Sequence, residues 1–420
     1  MTAMIHYNAN DLKKELLEDT QISEQRPVLI CNAHITGLAV ARGLGRKGVP
    51  VIALDREDRG LAFSSKYVKH RGVCPNPVVA EKAFIQYLMD IGPAFSQKCV
   101  LIPSMDEWAL SFAKYADQLS EYYIWPFSSY ETIEQILDKS QLYERANELG
   151  VPVPGYSKLT DSNIHELPNQ LSFPMVLKPI NKRAFYDAFQ EGLFIASDQK
   201  EYVEMTKKAK EAGLDLIAQE FVDVQRDGYV TIAVYMDGEQ NLRGALAGRR
   251  LEIYPPRSGT TCLVESIQAP ELTDRAVAVL KDFSYEGIAE CEFLYDEKDG
   301  EYKLLDINTR PWKWIGLPIH CGVNLPHLLY SYVNGEPYSN LNPKNGVKWI
   351  YTNDYKKLKE EKQGLYDGDI LEKEEWLEIL LNQTDESSKV ITAVESQDDP
   401  EPAYRLLQNS FSKRSYYCPC

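Results

Sequence analysis

Short apolar runs alternate with segments of helical spacing between residues 26 and 128. Residues 26–55 hold two β-rich runs, RPVLICN and VPVIALD, and the segment between them, GLAVARGLGRKG, has helical periodicity and closes on a glycine. This order predicts a βαβ unit with two parallel strands. The strand CVLIP at 99–103 and a helix over 105–119 repeat the arrangement. We therefore predict a small open parallel α/β domain over residues 26–128.

A longer region, residues 129–335, predicts an α+β arrangement in two lobes, about 129–218 and 219–335. Its pattern changes repeatedly between the helical and the strand period. The predicted helices cover 131–150, 199–212 and 271–284. The predicted strands cover 173–180, 216–222, 228–236, 243–254, 287–296 and 301–308. Asp237-Gly238 and the segment EKDG, which precedes the last strand, predict two β-hairpins.

Both ends of the chain differ from these regions in composition. Residues 1–25 are polar and acidic, with a short amphipathic helix marked by Leu12, Leu16 and Leu17 and no secretory apolar segment. Residues 336–420 contain charged helices and a polar segment broken by prolines. We predict an N-terminal helical tail and a C-terminal appendage whose last residues, about fifteen of them, form a mobile tail.

Composition and charge narrow the possible functions. The chain has 420 residues, 44% of them hydrophobic and 26% charged, so it is long enough for two or three globular domains. Its formal net charge of −16 repels phosphate backbones, so we expect no nucleic-acid partner. No apolar run approaches the roughly 20 residues that span a bilayer, so we expect no membrane partner and a cytoplasmic location.

Eight cysteines are scattered along the chain, several of them inside apolar strand-like runs. In the absence of a secretory signal, we expect reduced thiols that behave as small hydrophobic residues. Cys418 and Cys420 stand apart from the others, where an exposed tail is favoured over a metal-binding or redox role.

The first βαβ unit raises the question of a dinucleotide site. The dinucleotide fingerprint has three glycines at fixed spacing after the first strand, whereas NAHITGLAVARG offers only Gly37 and Gly43. Asp55, at the end of the second strand, fits a ribose-binding acid but is also ordinary at a strand end. A purely structural βαβ unit is therefore favoured over NAD binding.

Polar side chains converge on one face of the hairpin predicted at 287–308. Glu292 lies on the first strand, and Asp306 and Asn308 lie two apart on the second, so they share a face. Two carboxylates and an amide oxygen suit Mg²⁺, which takes its remaining ligands from water and phosphate. We predict a magnesium site here, and an ordinary solvated acidic face is the alternative.

Two lysines complete the parts of a nucleoside triphosphate site. Lys178 interrupts the apolar strand FPMVLKPI, where an ammonium group without an anion is unfavourable. Lys139 stands at the start of a helical segment, where a surface lysine is also ordinary. Lysines beside a magnesium set are typical of triphosphate sites, and the sequence lacks the Walker motif of P-loop proteins.

Five segments, in this order and spacing, resemble the ATP-grasp superfamily: DKSQLYERANELGVPVP, FPMVLKP, AQEFV, CEFLYD and LLDINTRPW. The hairpin with one acid, followed by acid-x-Asn-x-Arg, is the most specific part of the resemblance. It implies an ATP-grasp fold preceded by the small α/β domain and followed by a C-terminal extension. It also implies a nucleotide held between the two lobes.

The same resemblance implies roles for individual residues. Lys139 and Lys178 would contact the phosphates and the base of ATP, and Arg310 would meet the acyl phosphate or the carboxylate. The implied ligands of two Mg²⁺ ions, or of Mn²⁺, are Glu292, Asp306 and Asn308. The implied hinge residues, whose backbone would bond to adenine, are Gln219, Glu220, Phe221 and Val222.

The segment after the strand lysine departs from the usual pattern of the superfamily. Many members have a Gly- and Ser-rich flap there, whereas this chain has PINKRAFYDAFQEGLF. The side chains of Lys182 and Arg183 could replace backbone amides as hydrogen-bond donors to the phosphates. Together with GRRLEIYPPRSGTTCLVES, this flap resembles the carboxylate–amine ligase branch that includes the D-aspartate ligases.

Three further features of the sequence leave alternatives open. Only one of Arg249 and Arg250 can face inward from a strand, so they are alternative catalytic residues, and a solvent-exposed basic strand is the other interpretation. Residues 259–261 predict a substrate-facing turn. Trp312 and Trp314 either wall an acceptor pocket or pack inside the core.

The resemblance implies an ATP-dependent carboxylate–amine ligase. A carboxylate is a poor electrophile, but transfer of the γ-phosphoryl group gives an acyl phosphate, which an amine attacks to form an amide, ADP and phosphate. Mg²⁺, Lys178 and Arg310 would neutralise the developing charge. The partners would be a small carboxylic acid, such as an amino acid, and an amine, and a homodimer is compatible with this activity. The alternatives are a bicarbonate-activating enzyme of the biotin carboxylase or carbamoyl-phosphate type and a nucleotide-binding regulatory module without turnover.

Overall fold

The computed structural model describes residues 4–180, 182–189, 191–223, 227–256, 259–337, 341–361, 370–380 and 388–411. Within these ranges the strands form a five-stranded, a four-stranded and a seven-stranded sheet. The combination of a parallel sheet with antiparallel sheets confirms the predicted α/β and α+β class. No helix in the same ranges is long and apolar enough to cross a bilayer.

The N-terminal region is built around an open parallel sheet. Its helices and strands are α1 (Ala9–Glu18), α2 (Thr20–Glu24), β1 (Val28–Cys31), α3 (Ile35–Gly45), β2 (Val51–Asp55), β3 (Val68–Val73), α4 (Pro77–Ile91), β4 (Cys99–Pro103), α5 (Asp106–Lys114), α6 (Ala116–Leu119) and β5 (Tyr123–Ile124). The strand order is β3-β2-β1-β4-β5, and every neighbouring pair is parallel. The helix predicted at 105–119 is divided into α5 and α6 at Tyr115, whose backbone leaves the helical region.

Gly37 and Asp55 have structural roles in the first βαβ unit. A Cβ atom on Gly37 would lie 2.2 Å from the carbonyl oxygen of Asn32, so only glycine lets α3 approach β1 this closely. Asp55 is buried, and its Oδ2 accepts a hydrogen bond from the backbone N–H of Ala33 at 2.6 Å. Both observations agree with the structural interpretation of this unit.

The second region carries the four-stranded antiparallel sheet, in the order β6-β9-β7-β8. Its helices and strands are α7 (Tyr130–Leu137), α8 (Lys139–Glu148), β6 (Tyr156–Lys158), α9 (Leu167–Gln170), β7 (Met175–Pro179), α10 (Lys182–Phe189), β8 (Phe194–Ala196), α11 (Gln199–Glu211) and β9 (Leu216–Glu220). The flap segment after Lys178 thus contains a helix, α10. The packed face of this sheet lies in its own hydrophobic cluster, which includes Leu177 and Phe185.

The helical stretch predicted at 131–150 consists of two helices, and the predicted start of a helix at Lys139 is confirmed. Asp138 has an extended backbone, and its side chain caps α8 by accepting from the N–H groups of Ser140 and Gln141. Aspartate is among the preferred N-cap residues because its oxygen satisfies an N–H group that has no partner inside the helix. The break places Lys139 at the first position of α8.

The third region carries the seven-stranded sheet, in the order β14-β13-β10-β11-β12-β15-β16. Its helices and strands are β10 (Tyr229–Met236), β11 (Leu242–Tyr254), β12 (Thr260–Ile267), α12 (Pro270–Asp282), β13 (Gly287–Asp296), β14 (Glu301–Asn308), α13 (Gly316–His320), α14 (Leu325–Val333), β15 (Lys348–Ile350), α15 (Thr352–Glu360), α16 (Lys373–Leu380), β16 (Val390–Thr392) and α17 (Glu401–Phe411). The turn predicted at residues 259–261 differs from this structure, because Thr260 and Thr261 begin β12.

The region after residue 336 is integrated into the molecule. β15 pairs with β12 and β16 pairs with β15, so this region extends the sheet. Further along, the carboxylate of buried Asp399 accepts hydrogen bonds from Arg42 Nε at 2.9 Å, Ser65 Oγ at 2.7 Å and the backbone N–H of Lys66 at 2.9 Å. The described C-terminal residues therefore contact both the N-terminal α/β unit and the seven-stranded sheet.

Some predictions concern residues outside the described part of the chain. These include the mobile tail with Cys418 and Cys420, and the side chains of Lys182 and Arg183. The cysteines within the described ranges are buried and free, as expected for thiols that act as small hydrophobic residues.

Candidate active site

A cavity of about 1100 Å³ is lined by residues of the four-stranded and the seven-stranded sheets. The four-stranded sheet contributes Lys178 on β7 and Ile217 on β9, and helix α8 contributes Lys139. The seven-stranded sheet contributes strands β10 to β14, and the segment after β14 contributes Arg310. A cleft of this volume, walled by two sheets and rich in charged groups, is large enough for a nucleotide and a small substrate.

The hairpin of β13 and β14 gathers four oxygen-bearing side chains. Its register pairs Glu290 with Asn308 and Glu292 with Asp306. Because side chains two apart on a strand share a face, all four lie on the same face of the hairpin, and all four line the cavity. The structure thus brings together the three residues predicted from sequence, and it adds Glu290, which the sequence analysis missed.

Arg250 lies against this acidic group. Its NH2 nitrogen donates to Glu290 Oε1 at 2.6 Å and to Glu292 Oε1 at 2.7 Å, and its NH1 nitrogen donates to Tyr229 Oη at 2.6 Å. Tyr229 in turn donates to Glu292 Oε2 at 2.5 Å, and Asn308 Nδ2 donates to Glu290 Oε2 at 2.9 Å. The acids are therefore held in a connected hydrogen-bond network.

Within this network the pKa values of Glu290 and Glu292 are shifted in opposite directions. Burial raises the pKa of Glu290 in spite of the opposing charge of Arg250. Burial also acts to raise the pKa of Glu292, but the charge of Arg250 and the hydrogen bond from Tyr229 outweigh it, so the pKa of Glu292 is lowered. Of these two glutamates, Glu292 is therefore the one whose ionised form the surroundings favour.

Of the two alternative arginines, the structure brings Arg250 to the acids and Arg249 to the opposite face of β11. Arg249 NH2 donates to Glu265 Oε2 at 2.8 Å, and its NH1 nitrogen lies 3.6 Å from Asp227 Oδ1. This is the outcome expected of neighbouring residues on one strand. The prediction that only one of them faces inward is therefore met, with Arg250 inside.

The two predicted phosphate-contacting lysines both line the cavity. Lys139 is buried and forms an ion pair with Asp306, and Lys178 lies on β7 at the cavity wall. Helix α8 is fixed beside the hairpin by Tyr143, whose hydroxyl group donates to the carbonyl oxygen of Leu305 at 2.8 Å. The position of Lys139 therefore depends on the cap that begins α8.

Only two of the four predicted hinge residues line the cavity. Phe221 and Val222 line the cavity. Gln219 lies behind it, where its Oε1 accepts a hydrogen bond from Tyr143 at 2.9 Å, and Glu220 accepts one from Lys298 Nζ at 3.0 Å. Neither the Gln219 nor the Glu220 side chain belongs to the described cavity wall, so only their backbone atoms remain candidates for contacts with a base.

Arg310 connects the cavity to the N-terminal α/β unit. Its Nε donates to Asp106 Oδ1 at 3.0 Å, and Asp106 is the first residue of α5. Burial acts to lower the pKa of Arg310, but the charges of Asp106 and Glu290 raise it above its usual value. Arg310 is therefore a permanent cation at the cavity wall.

The sequence left open whether Trp312 and Trp314 line a pocket or pack in the core, and in the structure they do both. Both are buried in a hydrophobic cluster shared with the N-terminal unit, and both line the cavity. Trp314 Nε1 also donates to Glu290 Oε1 at 2.8 Å. They are core residues that also form part of the cavity wall.

The sequence analysis missed several residues of this site for identifiable reasons. Glu290 had a usable signal, because it lies two residues before Glu292 on the same strand face. Tyr229 and Asp106 had none, since each reaches the site through the pairing of distant segments. Lys313, which lines the cavity beside Trp312, also escaped notice.

The acidic face of the hairpin offers oxygen ligands of the kind that bind a magnesium ion. Within the described residues no cluster of three or more His, Cys, Asp or Glu side chains is arranged as a metal site. The adjacent oxygens of Glu292, Asp306 and Asn308 nonetheless match the oxygen ligands that Mg²⁺ prefers. A divalent cation there would compete with Arg250 and Lys139, which hold these carboxylates through ion pairs.

No protein-family model matches the chain. Three curated relatives match it over roughly half of its length. The D-aspartate ligase of Enterococcus faecium (strain Aus0004) is 28% identical over 228 residues, a match that covers 51% of this chain and 54% of that protein. The chain thus spans about half the length of the curated relatives it matches.

Solved structures share its fold, among them a biotin carboxylase domain and an amino acid ligase. The biotin carboxylase domain of Hydrogenobacter thermophilus 2-oxoglutarate carboxylase, a dimer solved with MgADP and bicarbonate, has a TM-score of 0.60 at 17% identity and covers 77% of this chain and 74% of that one. The L-amino acid ligase of Bacillus licheniformis has a TM-score of 0.58 at 17% identity, with coverage of 77% and 78%. Together with the similarity to the D-aspartate ligase, this shared fold relates the chain to the ATP-grasp carboxylate–amine ligases, as its motifs predicted.

Proposed function

We propose that this protein is an ATP-dependent ligase that joins a carboxylic acid, such as an amino acid, to an amine through an acyl phosphate. The observation that carries the proposal is the cavity that holds Asp306 and Asn308 opposite two lysines, Lys139 and Lys178. An oxygen-rich acidic group and two ammonium groups at one cleft provide complementary partners for Mg²⁺ and for phosphate oxygens.

In this proposal each part of the cavity has one task. Lys139 and Lys178 bind the phosphates of ATP, and Phe221 and Val222 contact the base. The acidic face of the hairpin holds two Mg²⁺ ions, or Mn²⁺, through Glu292, Asp306 and Asn308. Bound Mg²⁺ would neutralise charge on the phosphates during transfer. Arg250 positions Glu292. The side chains of Lys182 and Arg183 remain proposed hydrogen-bond donors to the phosphates.

Arg310 would stabilise the acyl phosphate. Its guanidinium group is aimed and kept charged by Asp106, and arginine matches the planar oxygen pairs of carboxylate and phosphate. The buried faces of Trp312 and Trp314 would exclude water from the intermediate, which protects the acyl phosphate from hydrolysis. The amine can then attack the activated carbonyl carbon, and phosphate leaves.

A phosphate-release screen tests this function. The purified protein is incubated with ATP, Mg²⁺ and pairs of amino acids, and the products of positive pairs are identified by mass spectrometry. We expect release of ADP and phosphate that requires both an acid and an amine, and a product whose mass is the sum of the two minus water. ATP binding without any product in a broad screen would instead support a regulatory module.

A bicarbonate-activating enzyme is the second candidate, because the biotin carboxylase domain solved with MgADP and bicarbonate has the same fold. The same assay separates the two functions. Phosphate release that depends on bicarbonate and is indifferent to amino acids would support the second candidate. The proposal also includes a cytoplasmic location, where ATP is available, and a homodimer, which analytical ultracentrifugation of the purified protein would test.

A further inference from the structure

An ion pair in the cavity joins a lysine assigned to phosphate with an acid assigned to the metal. Lys139 is only 6% exposed, and its Nζ donates to Asp306 Oδ1. The same Oδ1 accepts a hydrogen bond from the backbone N–H of Ile307 at 2.8 Å. In this pair the positive charge that attracts phosphate and the negative charge that attracts a cation neutralise each other.

The elements that carry the two residues are fixed to each other. Lys139 is the first residue of α8, and the side chain of Asp138 caps this helix. Tyr143, one turn further along α8, donates from its hydroxyl group to the carbonyl oxygen of Leu305 at 2.8 Å, next to Asp306 on β14. The two side chains therefore meet across a fixed backbone, and a change of the lysine rotamer is sufficient to separate them.

Arg250, the other cation of the acidic group, is held more firmly. It donates hydrogen bonds to Glu290, Glu292 and Tyr229, and its guanidinium carbon lies 4.4 Å from the centre of the Tyr229 ring. A lysine ammonium on a flexible four-carbon stem is easier to redirect than a planar guanidinium with several fixed partners. Lys139 is therefore the cation of this group that is suited to exchange one partner for another.

Charge determines when this exchange is favourable. A phosphate group that draws Lys139 away from Asp306 leaves a carboxylate with an exposed fraction of only 15% beside an anion. Removing one partner of a buried ion pair costs much more than removing one partner of an exposed pair. The cost disappears when the charge of Asp306 is balanced by a cation or is absent, and Lys139 can then turn to phosphate.

We infer that the pair of Lys139 and Asp306 is an autoinhibitory latch, which holds Lys139 away from the nucleotide phosphates until the charge of Asp306 is balanced. The inference rests on the proposed function, and it adds a regulation of the nucleotide site. The ligand class is a nucleoside diphosphate or triphosphate. Because coupling between two ligands is reciprocal, a nucleotide that engages Lys139 strengthens cation binding at Asp306 by the same factor.

Titration calorimetry of the full chain with ADP in EDTA tests the latch without a metal and without turnover. Asp306→Asn removes the charge and keeps the size of the side chain, so it opens the latch. We expect this substitution to raise the affinity for ADP in EDTA about 5- to 150-fold, the usual range of coupling between two sites. Adenosine, which has no phosphate, should bind the variant and the wild-type protein equally.

A double-mutant cycle with Lys139→Met separates the latch from simple repulsion. If the lysine keeps its place, loss of one negative charge favours ADP by the same factor with and without Lys139, so the changes are additive. The latch predicts an increase in ADP affinity that is about fivefold or more larger when Lys139 is present. The control is Asp227→Asn, which removes a cavity-lining carboxylate near Arg249 and should raise the affinity only slightly.

If Asp306→Asn fails to fold, Lys139→Met alone provides the test. Its loss of ADP affinity, relative to the wild-type protein, should be about fivefold or more larger in Mg²⁺ than in EDTA. The reason is that the wild-type lysine reaches the phosphates only when the charge of Asp306 is balanced. Equal losses in the two conditions overturn the latch.

The results separate the latch from the function on which it rests. Four outcomes overturn the latch while ADP still binds: an unchanged affinity in Asp306→Asn, additive changes in the cycle, an equal increase in Asp227→Asn, or an equal increase for adenosine. A confirmed latch in a protein that forms no amide from any acid and amine overturns the ligase activity and leaves the latch standing. A protein that binds no ADP, with or without Mg²⁺, overturns both.

Discussion

Two regions of the molecule bury acidic side chains against arginine, with opposite consequences. In the hairpin of β13 and β14, Glu290 and Glu292 meet Arg250 inside the cavity. In the C-terminal region, Asp399 meets Arg42 of the N-terminal unit at 2.9 Å, with both side chains nearly inaccessible. The hairpin residues line a cavity, whereas Arg42 and Asp399 are buried between the N-terminal unit and the C-terminal region.

The partners of the acids account for this difference. Asp399 receives two side-chain donors and one backbone N–H, and its own carbonyl oxygen accepts from Arg42 NH2 at 2.8 Å. The acids of the hairpin are held by side chains, those of Arg250, Tyr229 and Asn308. In the proposed function a cation displaces these partners, so the same chemical pair would be a fixed contact in one region and an exchangeable site in the other.

The largest expected effect comes from removing an acid of the hairpin. We expect Asp306→Ala or Asn308→Ala to reduce ATP-dependent product formation about 10³-fold or more, because each would lose a ligand at the site of developing phosphate charge. Asn308→Ala should change the free energy of unfolding little, whereas Asp306→Ala should also lower it, because it removes the carboxylate that pairs with buried Lys139. Phosphate release and urea unfolding measure the two quantities.

The matched control is Asp299→Ala, at the turn of the same hairpin, where Asp299 lies 3.0 Å from Lys303. It should retain nearly full activity. Wild-type turnover in either Asp306→Ala or Asn308→Ala would refute the assignment of these side chains to the metal.

The reverse result is expected in the C-terminal region. Asp399→Ala leaves the buried guanidinium of Arg42 without its carboxylate, so we expect the free energy of unfolding to fall by about 3–5 kcal/mol. Turnover per folded molecule should stay near the wild-type value. Urea unfolding at neutral pH measures the loss, and a change below about 0.5 kcal/mol would show that the contact is dispensable, as for an ordinary surface site.

A contact between the N-terminal unit and the segment that follows the hairpin should have an intermediate effect. Asp106 aims Arg310 from the N-terminal unit, so Asp106→Asn should lower kcat about tenfold through misplacement of the guanidinium group, with the KM for ATP unchanged. Steady-state kinetics provide the measurement, and Glu107→Gln, one residue further along α5, provides the control. A rise in the KM for ATP at constant kcat would contradict a positioning role at the acyl phosphate.

The sequence predicted the hairpin well because its information is local. The strands 287–296 and 301–308 match β13 and β14, and the two-residue period placed Glu292, Asp306 and Asn308 on one face. The choice between Arg249 and Arg250 stayed open, because it depends on which face of β11 meets the acids. That face is set by pairing with strands that lie far away in sequence.

The C-terminal region could not be predicted in the same way. Strands β15 and β16 are three residues long, too short for a periodic signal. Asp399 and Arg42 are separated by 357 positions, and nothing near either residue reveals its partner. The sequence therefore predicted an appendage where the structure has a contact between the N-terminal unit and the third region. A single sequence does not show which residues that are far apart in the chain contact each other.

The smallest expected effect lies next to the buried contact, at Asp398. Its carboxylate accepts hydrogen bonds from Arg46 NH2 at 2.8 Å and from Tyr67 Oη at 2.6 Å, and its side chain is 41% exposed. Burial acts to raise the pKa of Asp398, but the hydrogen bonds from Arg46, Ser396 and Tyr67 outweigh it and lower the pKa well below its usual range. Because solvent screens an exposed pair, we expect Asp398→Asn to cost only about 0.2–1 kcal/mol at neutral pH.

The pH dependence of this small effect follows from the lowered pKa of Asp398, and its salt dependence distinguishes it from the neighbouring buried pair. A carboxyl group whose pKa is lowered by folding stabilises the protein above its unfolded pKa of about 3.9, and it loses this contribution as the pH falls towards the folded pKa. The difference between wild type and Asp398→Asn should therefore be constant from pH 8 to about pH 5 and shrink below about pH 4. It should also shrink in 1 M salt, where the Debye length is about 3 Å, whereas the loss in Asp399→Ala should persist. Urea unfolding across pH and salt measures both, and a salt-resistant effect at Asp398 would mean that the exposed pair behaves like the buried one.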